Sequence, residues 1–157
     1  MPLGTLNPKA LAVATLLALG SVVVATASNA AAPEVYTAPF SKLALSGYDP
    51  VSYFTAVSPQ KGDARFATIW RGAEFRFASA ANLAGFKANP EAYAPQYGGY
   101  CAWAVSRGYT AEGDPLAWRI VNGKLYLNYD ATIQTRWVTD IPNNIAKGDH
   151  NWPQVLK

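Results

Sequence analysis

Apolar and polar residues alternate most clearly in Glu74-Phe75-Arg76-Phe77. Both rings fall on one face and both charges on the other, the period of a half-buried strand. Just upstream, Arg65 to Trp70 holds Phe66, Thr68, Ile69 and Trp70, all residues that favour strands. Arg71-Gly72 reads as the turn that joins the two into a hairpin. A second hairpin is predicted from Leu116 to Val121 and Lys124 to Tyr129, around Asn122-Gly123. Asn-Gly tolerates the left-handed backbone that a two-residue hairpin turn requires.

Elsewhere the pattern is helical and short. Ser79 is a good cap for a helix over 80–88, with Leu83 and Phe86 three apart on its inner face. Asn89-Pro90-Glu91 ends that helix and starts another turn, which Tyr93 closes. Asp49-Pro50 opens a helical turn earlier, and Cys101 to Ser106 has fair helix propensity without a breaker. Asp130 caps a helix with Ile133 and Trp137 at i and i+4. Pro142 interrupts it, a further segment runs to Lys147, and Gly148 is expected to stop it. Trp152 in the tail is expected to pack back onto the body. Pro33 to Ser46 reads as an irregular lead-in, and neither an internal repeat nor a domain linker stands out. The expectation is an α+β fold: a single small domain with two β-hairpins and several short helices.

The N-terminus changes the picture of where the protein works. Lys9 precedes an apolar run from Ala10 to Ala25, and small residues follow up to Pro33. A positive charge, an apolar core and an A-x-A-type site make a secretory signal peptide over 1–30, cleaved after Ala27 or Ala30. The alternative, an uncleaved anchor, needs a span of about 17–25 apolar residues, and Gly20-Ser21 interrupt this one. The mature chain is then periplasmic or secreted: a lead-in over 31–46 and the domain over 47–157.

The chain of 157 residues has a formal charge of +3. Without Lys9, twelve basic residues face ten acidic ones, a balance of +2. No basic cluster stands out, so no nucleic-acid partner is indicated, and no later segment resembles a membrane span. All 20 aromatic residues lie after the leader, enough to fill a small core and line a pocket.

The sole cysteine lies in Tyr97-Gly98-Gly99-Tyr100-Cys101-Ala102-Trp103. A thiol at a helix N-terminus feels the positive end of the helix dipole, which lowers its pKa and raises its reactivity. Cys101 is therefore the candidate reactive thiol, and Tyr97, Gly98, Gly99, Tyr100 and Trp103 are the candidate binding residues. One cysteine allows no intramolecular disulfide and no resolving partner, so a redox cycle requires an external thiol. The competing reading makes Cys101 a small buried hydrophobe in a small-molecule binding module. A Cys–His hydrolase would need His150, which sits in the tail, and no paired carboxylates suggest a glycosidase.

The segment 47–93 resembles the YHS domain. The resemblance rests on Tyr48-Asp49-Pro50-Val51-Ser52, Phe75-Arg76-Phe77-Ala78-Ser79, Phe86, and Ala88-Asn89-Pro90-Glu91-Ala92-Tyr93. With Tyr-Gly-Gly-Tyr-Cys-Ala and Gly-Lys-Leu-Tyr-Leu-Asn-Tyr, the mature chain is similar to an exported YHS subfamily in which selenocysteine takes the cysteine position of some members. The resemblance implies soft-metal binding, but the ligand-cysteine positions hold Ser52, Ala78 and Asn82 here. Copper(I) and zinc sites want several sulfur or imidazole donors, and one cysteine with one histidine falls short. No metal site and no cofactor is therefore expected.

Overall fold

The computed structural model describes residues 30–56 and 58–157. The expected signal peptide, apart from its last residue, lies outside the described residues. The lead-in is irregular, as its prolines suggest, but it is tied down. Ala32 N–H donates to the Leu156 carbonyl at 2.6 Å and Tyr36 N–H to the Gly98 carbonyl at 2.9 Å. Val35 between them is buried.

Both expected hairpins form. β1 (Asp63–Trp70) pairs antiparallel with β2 (Ala73–Phe77), and β3 (Asp114–Val121) with β4 (Lys124–Asn128). The turn residues Arg71, Gly72, Asn122 and Gly123 have φ of 47°, 79°, 50° and 74°. Positive φ at both turn positions matches the right-handed twist of the strands. The helices are α1 (Ser52–Thr55), α2 (Ala80–Ala88), α3 (Pro90–Tyr93), α4 (Ala102–Val105), α5 (Ala131–Trp137) and α6 (Ile141–Asn151). Ser79 and Asp130 cap α2 and α5 through their side chains, as expected. Gly148 does not stop the last helix, which continues to Asn151. A Cβ at Gly148 would lie 2.5 Å from the Tyr97 hydroxyl, so the glycine lets that ring pack against α6.

The two hairpins are copies of one unit, a repeat not visible in the sequence pattern. Each paired position of β1/β2 recurs 51 residues later in β3/β4, including the irregularity between Asp63 and Ala67 and between Asp114 and Trp118. The helix caps Ser79 and Asp130 follow the same offset. Phe75 and Phe86 stack with centroids 5.0 Å apart at 29°, and their counterparts Tyr126 and Trp137 lie 5.3 Å apart at 35°. Upstream the offset is 52. Leu45, Ser46 and Gly47 have φ of 52°, 50° and 80°, and Tyr97, Gly98 and Gly99 have 54°, 60° and 85°. Asp49 N–H bonds the Gln60 carbonyl at 2.8 Å, and Cys101 N–H bonds the Ala111 carbonyl at 2.9 Å. Asp49 in the first half therefore stands where Cys101 stands in the second.

Each half has its own core. Val51, Tyr53, Phe75, Phe77 and Phe86 centre the first, and Tyr97, Tyr100, Val105, Tyr126 and Trp137 the second. β4 forms the wall between them. Leu125 and Leu127 face the first core and Tyr126 faces the second, the alternation of any strand buried on both sides. Asn128, fully buried, shares the face of Tyr126.

Candidate functional site

Cys101 is the N-cap residue of α4, a helix of four residues. Its side chain is 1% exposed. Burial pushes the thiol pKa up, the N–H groups of Ala104, Tyr129 and Trp103 pull it back only partly, and the Asp130 carboxylate adds to the rise. The sequence suggested a lowered pKa at a helix N-terminus. One turn of helix carries little dipole, and desolvation outweighs it here. Sγ lies 3.9 Å from Asn128 Oδ1, which also accepts from Trp103 N–H at 3.2 Å. Asn128 Nδ2, on the same side chain, has no partner among the described residues.

The five residues expected to bind a ligand lie around this thiol, and the chain itself fills the space beside them. The Tyr97 hydroxyl donates to Asp149 Oδ1 at 2.8 Å, and the Tyr100 hydroxyl to the Pro33 carbonyl at 2.8 Å. Burial raises the pKa of both phenols, and Asp149 raises that of Tyr97 further. A Cβ on Gly98 would overlap the Glu34 carbonyl, so the close approach that the glycine pair permits is made by the lead-in. Gly99 packs against Pro95. The Arg107 guanidinium stacks on the Trp103 ring, 3.3 Å from its centroid, and donates to Asn144 Oδ1 at 3.0 Å. The Arg107 guanidinium is thus taken up by Trp103 and Asn144.

The three positions that the YHS resemblance assigns to ligand cysteines do come together, around Asp49. Ser52 Oγ–H donates to the Asp49 carbonyl at 2.6 Å, and Asp49 Oδ2 accepts from Ala78 N–H at 2.9 Å and from Asn82 Nδ2 at 2.6 Å. Asp49 Oδ1 accepts from Val51 N–H at 2.8 Å. Among the described residues there is no group of three or more His, Cys, Asp and Glu side chains that could hold a metal ion. No helix among them is long and apolar enough to cross a membrane.

A cleft lies where the lead-in meets the second hairpin. It encloses about 330 Å³ and is lined by Tyr36, Ser46, Glu112, Gly113, Asp114 and Tyr129, among others. The Tyr36 hydroxyl donates to Glu112 Oε2 at 3.0 Å. Partial burial and then the adjacent carboxylate push that phenol up to about 12. The Tyr129 ring is half-exposed on one wall. Its backbone N–H is one of the groups that pull the Cys101 thiol pKa down, so the thiol lies close to the backbone of this wall. No local pattern marks this site, because its residues come from four separate stretches and 109–115 reads simply as a loop. No family model, curated protein or solved structure matches the chain.

Proposed function

We propose that the chain is an exported, YHS-like binding module that takes up a small organic cation in the Tyr36–Glu112–Tyr129 cleft, with Cys101 as a core residue behind it. The cleft carries this reading. Its volume is in the range that accommodates small ligands. Glu112 and Asp114 supply negative charge, and the Tyr36 and Tyr129 rings supply the aromatic faces that attract ammonium groups. The chain's own ammonium is received in the same way nearby. Lys61 Nζ donates to the Ser46 carbonyl at 3.1 Å and lies 3.9 Å over the Tyr48 ring. The burial of Cys101, and the absence of a cation beside it among the groups that shift its pKa, count against a catalytic thiol.

The test is a titration with ethanolamine, choline and putrescine, followed by tyrosine fluorescence and by chemical shifts of residues 112–115 and 129. At least one ammonium compound should bind with sub-millimolar affinity. Glu112→Gln and Tyr129→Ala should each weaken it on the order of tenfold, the loss of one charge-assisted contact or one ring face. If no ammonium compound perturbs these residues at millimolar concentration, the reading is wrong.

A further inference from the structure

The end of α4 and one face of α6 enclose a second depression in the surface. It consists of two hollows, of about 390 and 530 Å³, which share Gly108, His150 and Asn151 as lining residues. Arg107 and Lys147 line the larger one, and Gln154 and Val155 the smaller. No carboxylate lines either hollow, and neither shares a residue with the Tyr36–Glu112–Tyr129 cleft. Lys147 and His150 are three apart on α6 and so share a face. The carboxylate between them in sequence, Asp149, is occupied elsewhere by the Tyr97 hydroxyl at 2.8 Å. Basic residues in a last helical turn are by themselves the ordinary complement of a helix C-terminus. What sets this place apart is how Arg107 is held. Arg65, Arg71 and Arg76 each pair with a carboxylate. Arg107 is fixed by neutral groups instead: it stacks on the Trp103 ring, and Nη1 donates to Ser106 Oγ and Asn144 Oδ1. Both acceptors belong to residues that are only 4% exposed. Each is anchored in turn, Asn144 by donating to the Trp137 carbonyl at 2.8 Å and Ser106 by donating to the Trp103 carbonyl at 2.7 Å. Asn151, one turn beyond Lys147, donates to the Val105 carbonyl at 2.8 Å, so α6 is fastened to the end of α4 on both sides of the lysine. The result is an exposed guanidinium with an uncompensated charge and a fixed plane, whose Nε and Nη2 have no partner among the described residues. An arginine that serves only solubility has no need of two buried acceptors to hold it still.

We propose that this depression binds a small, soluble phosphate monoester. The free edge of the Arg107 guanidinium presents two parallel N–H groups, the fork that matches two phosphate oxygens. Lys147 adds a point charge, and His150 offers a ring N–H from the same face of α6. A phosphate monoester brings three acceptor oxygens and close to two negative charges at neutral pH, enough to engage all three side chains. A single carboxylate brings two oxygens and one charge, which the Arg107 fork alone would satisfy. The organic part of the ester lies in the smaller hollow, over Gly108 and between Asn151, Gln154 and Val155. Among the large exposed apolar side chains only Tyr109 neighbours these residues in sequence, too little to enter a bilayer, so the phosphate is that of a soluble molecule. The inference is independent of what the cleft binds and of any chemistry at Cys101.

The test is a titration of the folded chain with glycerol 3-phosphate at low salt, followed by the chemical shifts of residues 106–108 and 147–151. Succinate at matched ionic strength is the control for a divalent anion without phosphate. Glycerol 3-phosphate should bind with sub-millimolar affinity, about tenfold tighter than succinate, and added salt should weaken it. Arg107→Lys keeps the charge but loses the fork and the flat stacking face, and should weaken binding on the order of tenfold. Lys147→Gln removes an exposed charge without touching the core, and should weaken it by roughly threefold or more. Thermal melts show whether each variant is folded, and if Arg107→Lys is not, Lys147→Gln decides alone. The proposal is overturned if glycerol 3-phosphate leaves these shifts unchanged at millimolar concentration, if succinate binds as tightly, or if the folded variants bind like wild type. Vesicles containing phosphatidic acid supply the remaining arm. A chain that sediments with them and ignores glycerol 3-phosphate takes its phosphate from a lipid, which overturns the assignment to a soluble ester.

Discussion

Replacing Asp49 by alanine should remove a large share of the stability of this domain, and the size of the loss follows from the hydrogen bonds. The carboxylate satisfies Val51 N–H, Ala78 N–H and Asn82 Nδ2 inside a fully buried niche. A buried donor left without an acceptor costs about 1–3 kcal/mol, so three cost on the order of 3–9 kcal/mol. The variant also no longer holds a charge away from water, which returns several kcal/mol. The expected net loss is about 3–5 kcal/mol, against a typical total of about 5–15 kcal/mol for a domain. Asp49→Asn separates charge from shape. It keeps the volume, but it turns an NH₂ group toward at least one of the three donors. Its loss should approach that of the alanine variant. Urea denaturation followed by tryptophan fluorescence measures both, with unchanged m-values as the check that the comparison is two-state. An asparagine variant within about 1 kcal/mol of wild type would refute the reasoning, because the niche would then be indifferent to charge.

Gly148→Ala should destabilise the protein by about 1–2 kcal/mol although alanine favours a helix interior by about 1 kcal/mol, because the new methyl meets the buried Tyr97 ring at 2.5–3.1 Å. In a Tyr97→Leu background the same change should become neutral or stabilising, and a double-mutant cycle by urea denaturation without coupling would refute the contact. At alkaline pH, stability should decline between about 10 and 12. Burial raises the Tyr126 phenol to about 12 and also raises Tyr97, so the unfolded chain releases these protons first. The stabilisation is complete below the unfolded value and is lost as pH rises through the folded one. Tyr126→Phe should flatten the decline in pH-dependent urea midpoints, and an unchanged slope would refute it.

Both hairpins and the caps Ser79 and Asp130 were legible because they are local. A turn dipeptide, an alternation of side chains and a capping side chain each act within a few residues. The role of Gly148 was not legible, because what decides it is the Tyr97 ring, 51 positions earlier in the chain. The repeat escaped for a different reason. Its halves conserve the task at each position and not the residue. Phe75 and Phe86 do in the first core what Tyr126 and Trp137 do in the second, and Ser79 caps as Asp130 does. Packing and capping constrain volume and hydrogen bonding, which several residue types satisfy. The environment of Cys101 was misjudged for the same kind of reason. Its spacing places it at a helix start, but the short length of α4 and its burial under Tyr129 and Asn128 are tertiary facts.

The repeat also explains why one niche holds an aspartate and the other a cysteine. The cap of the helix after the first hairpin is Ser79, which is neutral, and the acidic group beside that niche is Asp49 itself. In the second half the cap is Asp130, whose charge already raises the pKa of the neighbouring thiol. Each half thus carries one carboxylate at this place, on the loop in the first and on the helix cap in the second. A permanent anion at position 101 would face Asp130 across a poorly solvated space, where like charges repel more strongly than in water. A neutral thiol avoids that repulsion at rest. Removing the Asp130 charge while keeping its cap, as in Asp130→Ser, should ease ionisation of the Cys101 thiol, read as faster alkylation at alkaline pH in the folded protein, and an unchanged rate profile would refute the role given to Asp130.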